Sequence, residues 1–192
     1  MTNIIKIITT FAFSTMLLTA SDFEIDKTHS QVSFKVKHMM ISNVQGTFKA
    51  YDGEIEFDQK TMQFTSLSAE METKSVDTGI EKRDNHLRSA DFFDAKKNPL
   101  ITFEMTSYEG DKEEGKMNGK LTIRGITKDI TLDVEIGGLI KDPAGLTRLG
   151  FALEGKIKRK DFGLKWNKLL EAGGLAVSET VKLIIEIEAI EG

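Results

Sequence analysis

The sequence predicts an all-β domain, an antiparallel sandwich or closed barrel of about eight or nine strands with one or two short helices set against it. Three observations carry that prediction. Apolar residues alternate with polar ones at period two along most of the chain, the pattern of strands with one buried face. Both prolines, Pro99 and Pro143, fall between these runs, where a missing N–H costs no ladder hydrogen bond. Residues 75–99, SVDTGIEKRDNHLRSADFFDAKKNP, interrupt the alternation with charges at helical spacing. Periodicity alone leaves sandwich and barrel open.

The first segment is expected to be removed. Lys6 supplies a positive charge, residues 7–18 form an apolar run shorter than the ~20 residues of a bilayer span, and Leu18-Thr19-Ala20 offers a cleavage site. Residues 1–20 therefore read as a secretory signal peptide, and no Cys follows to carry a lipid anchor. Residues 21–192 fit one domain without another run of membrane length, so an exported product that does not span the membrane is expected. Lacking cysteine, the chain has neither disulfides nor thiolate metal ligands and depends on its core. The net charge of −4, with signs interspersed, argues against nucleic acid or anionic lipid surfaces as partners. The cluster Lys156, Lys158, Arg159 and Lys160 is the one exception.

In the first clear strand, Val32, Phe34, Val36 and His38 oppose Gln31, Ser33, Lys35 and Lys37. Val44, Gly46 and Phe48 continue, and Asp52-Gly53 predicts a hairpin turn before Ile55 and Phe57. Leu67, Ala69 and Met71 follow. After the interruption, Ile101, Phe103 and Met105 lead into a polar loop at 109–115. Met117, Gly119, Leu121 and Ile123 come next, with Gly125 in a turn. Ile130, Leu132, Val134 and Ile136 end at Gly137-Gly138, which, like Gly173-Gly174, reads as a turn or hinge. Leu149, Phe151, Leu153 and Ile157 precede a last strand bearing Val181, Leu183, Ile185 and Ile187, with Ile184 breaking its outward polarity.

On a helix over 79–91, Ile80, Leu87 and Asp91 share one side, flanked by Arg83 and Asp84, with Asp77 or Thr78 as N-cap. Such a helix docks by Ile80 and Leu87. A buried Arg needs a partner, so Arg83 with Asp84, and Arg159 with Asp161, read as ion pairs. Residues 159–174, RKDFGLKWNKLLEAGG, concentrate Phe162, Trp166 and Leu170 in a loop. With Phe92 and Phe93 they read as a cover over an opening.

Several segments together resemble the YceI-like proteins, exported lipid-binding proteins of bacteria. They are Ile25-Asp26-Lys27-Thr28-His29-Ser30 with Val32-Ser33-Phe34-Lys35-Val36-Lys37-His38, Val44-Gln45-Gly46-Thr47-Phe48, and Ser75-Val76-Asp77-Thr78-Gly79. Arg83-Asp84-Asn85-His86-Leu87, Asp91-Phe92-Phe93-Asp94, Gly119-Lys120-Leu121-Thr122-Ile123-Arg124-Gly125-Ile126-Thr127-Lys128 and Arg159-Lys160-Asp161-Phe162-Gly163-Leu164 complete the set. The resemblance implies a lipocalin-like barrel in the periplasm, holding a polyisoprenoid, isoprenoid quinone or fatty-acid amide as its ligand with no further cofactor. It also implies a helix beside the mouth and a possible homodimer.

Candidate ligand contacts come from a barrel wide enough for one small ligand. The inward aromatics are Phe34, Phe48, Phe57, Phe103 and Phe151, and the covering ones Phe92, Phe93, Phe162 and Trp166. Val36, Leu87, Ile123, Leu132 and Leu170 add apolar surface, and His38, Arg83, Asp84, His86 and Asn167 are polar candidates near the mouth. Each aromatic fits ordinary core packing equally well. An enzyme working through His29, His38 and His86 is one alternative, and a barrel packed solid, serving as a stress-response interaction protein, is another. The histidines lack the spacing of a helical metal motif and no GxSxG occurs, so neither catalytic nor metal residues are assigned.

Overall fold

The computed structural model describes residues 20–169 and 175–192. Residues 1–19 of the proposed leader (1–20), Leu170 and Gly173-Gly174 lie outside the described residues. The elements run β1 (Ser21–Ile25), β2 (Gln31–His38), β3 (Ser42–Phe48), β4 (Tyr51–Asp58), β5 (Gln63–Glu72), β6 (Val76–Asp77), α1 (Glu81–Arg88), β7 (Leu100–Gly110), β8 (Glu114–Ile123), β9 (Ile126–Lys141), β10 (Thr147–Lys158) and β11 (Val177–Glu191). All pairings are antiparallel, in the order β1-β4-β5-β7-β8-β9-β10-β11, and β11 returns to β1 to close an eight-stranded barrel. Closure leaves no free edge in that ring.

β11 is long enough to serve two partners. Its last residues pair with β1 at Ala189 and Glu191, whereas Val181 to Glu186 pair with β2. β2, β3 and β6 therefore form a flap continuing one half of the barrel, and α1 packs beside β6. β1 has only Phe23 and Ile25 to mark it, which is too little alternation to be read from sequence, yet it closes the ring.

Two turn expectations are corrected. Asp52-Gly53 lies within β4; the chain only bends at 49–50, and β4 runs on in the same sense as β3. Gly53 is needed for close approach, since a Cβ there would lie 2.7 Å from the Ser68 carbonyl oxygen on β5. β9 likewise runs through Gly137-Gly138. Its register against β10 shifts at Gly150 and Phe151, and Gly138 at φ 141° absorbs the bulge. Gly125 does turn: with Arg124 at φ 53° and Gly125 at φ 70°, the β8–β9 hairpin has two positive-φ residues, matching strand twist.

The half of the barrel away from α1 is packed solid. Phe57 meets Phe23 edge-on at 6.3 Å and Phe64 at 4.9 Å, and Phe64 meets Phe151 at 5.0 Å and Tyr108 at 5.2 Å. Met117 and Leu149 fill the gaps with no exposure. Edge-to-face contacts of this kind add to area burial, and they plug the barrel from below.

Outside the plug, one guanidinium clasps three segments. Arg148 donates from Nη1 to Asp26 Oδ2 at 2.9 Å and from Nε to Asp142 Oδ2 at 2.8 Å, and it also reaches Glu188. His29 Nδ1 lies 2.9 Å from Asp26 Oδ2. Its partner His29, then Arg148, holds the Asp26 carboxyl well below the usual carboxylate range, and Asp26 in turn raises His29. Arg148 lowers Asp142. The depressed carboxylates stabilise the fold above the unfolded value of about 4, and this contribution is lost as pH falls through their folded values. His29 acts in the opposite sense, fully below the unfolded 6.5 and lost as pH rises through its raised folded value. Thermal melts across pH check both signs: R148M flattens the acid limb and H29Q the limb above neutrality. Unchanged limbs in both variants would show that the clasp does not titrate with folding.

Candidate ligand-binding site

Above the plug the barrel is hollow, with a cavity of about 610 Å³ that falls in the usual range for small-molecule sites. Phe34, Val36, Val181 and Leu183 point into it and are only half-buried, because they face the void. Ile55, Leu67 and Phe103 form further wall, and Phe151 links the wall to the plug. Small residues make room for the large ones. A Cβ at Gly46 would lie 2.5 Å from the Phe34 ring, and one at Gly119 2.3 Å from the Phe103 ring.

One side of the mouth is built by α1 and the residues on either side of it. Gly79, at φ 76°, turns the chain into the helix, and Ile80 precedes it in extended conformation without a side-chain cap. The side-chain cap expected from Asp77 or Thr78 does not form, and Asp77 Oδ1 accepts the Gly79 N–H at 2.8 Å instead. Asp84, 5% exposed, reaches back to accept the Thr78 N–H at 2.9 Å and the Thr78 hydroxyl, and with Glu81 it places negative charge near the positive helix end. Arg88 fastens the other end by donating to the Lys74 and Val76 carbonyls, both at 2.7 Å. D84N, which removes the charge from these hydrogen bonds, is expected to cost about 1–2 kcal/mol in denaturant unfolding. A loss within error would mean that the turn is held by its backbone alone.

The opposite rim comes from the stretch after β10. Arg159, 3% exposed, donates to the carbonyls of Ser178 at 2.8 Å and Trp166 at 2.9 Å, and also to Leu164 and Val177. Burial pushes its guanidinium below its ordinary pKa. Asn167 bridges the same strands, donating to the Val177 carbonyl at 2.7 Å and accepting its N–H at 3.0 Å. The two rims meet in a ring cluster. His86 stands edge-on to Phe92 at 5.0 Å and to Trp166 at 4.8 Å, and its Nε2 lies 2.9 Å from Asp91 Oδ2.

Of the predicted contacts, Phe34, Val36, His38, Phe48, Phe103 and Phe151 line the cavity, as do Ile123 and Leu132. Arg83, His86, Leu87, Phe92, Phe93 and Trp166 line its upper part. The structure does not bring Phe57, Phe162, Asp84 or Asn167 there. Phe57 belongs to the plug, because alternation gives the face of a strand and not the depth along the barrel. Phe162, 1% exposed, is buried in the core, Asp84 is taken up by Thr78, and Asn167 by Val177. Leu170 lies outside the described residues.

Neither expected ion pair forms among the described residues. Arg83 donates to the Thr78 hydroxyl at 2.7 Å and the Thr78 carbonyl at 2.9 Å, so Arg83 and Asp84 meet through Thr78. Neighbours on a helix diverge by about 100°, which keeps their side chains apart. Arg159 takes carbonyls in place of Asp161. Ile80 is 53% exposed at the rim and is not a docking residue. Val181, Leu183, Ile185 and Arg159 line the cavity without having been expected there. The first three carried a signal, as the apolar face of the last strand, but alternation does not separate aliphatic wall from core. The three histidines do not converge: His29 joins the Arg148 clasp, His86 joins Asp91, and His38 lies on β2. Asp26, His29 and Glu188 have ligand atoms close enough for a cation, but Arg148 already donates to both carboxylates.

The family model of the YceI-like domain matches residues 23–189. The YceI protein of Escherichia coli O157:H7 is 41% identical over 181 residues, covering 93% of this chain and 92% of that protein. A crystal structure of the Campylobacter jejuni YceI protein shares 45% identity at a TM-score of 0.71, covering 88% of this chain and 96% of that one. A polyisoprenoid binding domain from Saccharophagus degradans superposes at a TM-score of 0.61 over 88% of this chain and 98% of that one, and at 15% identity speaks to the fold alone. By its sequence from 23 to 189 and its closed eight-stranded barrel, this chain belongs to the YceI-like domain family.

Proposed function

We propose that the protein binds a long-chain amphipathic lipid, of the polyisoprenoid, isoprenoid-quinone or fatty-amide type, and carries or stores it in the periplasm. The observation that carries this reading is a barrel plugged at one end and hollow at the other, with an apolar wall and polar side chains near the rim. The tail lies against Phe34, Phe103 and Leu183, with the polar end near His38, Arg83 and His86. Burying about a dozen methylenes at ~0.8 kcal/mol each gives ample gross affinity, from which the ordering of the tail subtracts. A polyisoprenoid binding domain built on the same fold is in keeping with that ligand class.

Trp166, the single tryptophan, lines the cavity and reports directly on occupancy. Titrating an isoprenoid quinone into lipid-stripped protein is expected to quench its fluorescence to saturation at one equivalent. Fluorescence that stays flat with quinone and with a fatty amide would remove the reading.

A further inference from the structure

The cavity opens onto a rim that combines apolar tips with unpaired positive charge. At the β2–β3 tip, Ile41 is 85% exposed and Met40 is exposed beside it. Met39 and Met40 hold φ of 50° and 63°, a region that strains side chains, so backbone energy is spent on holding apolar residues out in solvent. Across the mouth, Leu169 is 79% exposed, and Ile80 projects from the start of α1. These residues ring one opening. The Met39 N–H donates to Ala176 O at 2.8 Å, and His38, Ile80, Trp166 and Ala176 all line the cavity.

The charges are arranged in the same way. Lys37, Lys82 and Lys165 stand exposed around the mouth and form no ion pair with a described residue, with Glu81 the adjacent carboxylate on α1. The other end of the barrel carries Glu109, Asp111, Glu113 and Glu114 around Lys112 in the β7–β8 hairpin, and Lys141 between the exposed Ile140 and Leu146 in the β9–β10 hairpin. A net charge of −4 averaged over the chain argued against anionic surfaces, but that average conceals a positive mouth and an acidic base.

We propose that this rim docks on the surface of an anionic phospholipid bilayer, with Met40, Ile41, Ile80 and Leu169 entering the headgroup boundary and the lysines contacting lipid phosphates. Exposed apolar side chains flanked by lysines are what interfacial binding uses, and each lysine near an anionic surface contributes about fivefold in affinity. Docking seats the open mouth against the membrane, the geometry for passing a lipid in or out without crossing water. That use rests on the lipid reading above, whereas the docking itself does not.

The test is co-sedimentation of the processed protein with vesicles of phosphatidylcholine alone or mixed with phosphatidylglycerol. Wild type is expected to bind only the mixed vesicles, more weakly as salt rises. The double variant M40S/I41S, which leaves the cavity lining intact, should bind at least about tenfold more weakly while still quenching Trp166 with quinone. K165E should lose about fivefold or more. Failure of wild type to bind the mixed vesicles, or unchanged binding by M40S/I41S, overturns the proposal. It is also overturned if light scattering finds a dimer that M40S/I41S dissociates, which would assign the tip to a contact between copies. Vesicle binding without quinone quenching would leave docking standing and remove the lipid reading instead.

Discussion

L183R is expected to weaken ligand uptake by about 100-fold or more while leaving the barrel folded, because a charge set in a hydrocarbon cavity costs several kcal/mol and each 1.4 kcal/mol is tenfold. Leu183 pairs with Phe34 across β11 and β2, faces the void and is half-buried, so its replacement displaces ligand more than core. The same substitution at Met117 or Leu149, both fully buried, should instead unfold the domain. Quinone titration by Trp166 fluorescence, run beside a thermal melt, separates the two. Full affinity in a folded L183R would place the ligand elsewhere.

R159M is expected to cost about 3–5 kcal/mol in denaturant unfolding, the range for leaving buried polar groups without their charged partner. The guanidinium spans Leu164, Trp166, Val177 and Ser178, so its loss frees four carbonyls and the two segments that carry them. Hydrogen exchange should accelerate over 164–169 and 175–178 before it does in β7 and β8. R159K should recover only part of the loss, because an ammonium lacks the planar fork that reaches several acceptors at once. Complete rescue by lysine would mean that charge matters there and geometry does not.

The sequence carried the strands because a half-buried strand must alternate, and β2, β7, β8 and β11 do so plainly. It did not carry closure, which depends on the five residues of β1 finding both β4 and the end of β11. Asp52-Gly53 misled because a glycine that permits close strand approach and one that permits a turn look alike in sequence. Of the site, the wall was legible from alternation. Depth was not, which is why Phe57 fell in the plug. The polar residues were least legible: Asp84 and Asn167 proved to be staples for Thr78 and Val177, and Arg159 a brace for the rim, since hydrogen-bond direction is fixed only once the chain has folded.

The proposed lipid binding turns on the hollow half of the barrel, and native mass spectrometry of protein purified from its own host, with lipid extraction, tests it most directly. One molecule of a long-chain isoprenoid or fatty amide per protein chain is the expected result, lost in L183R. Protein that arrives without lipid, and that takes up neither isoprenoid quinone nor fatty amide afterwards, would contradict it.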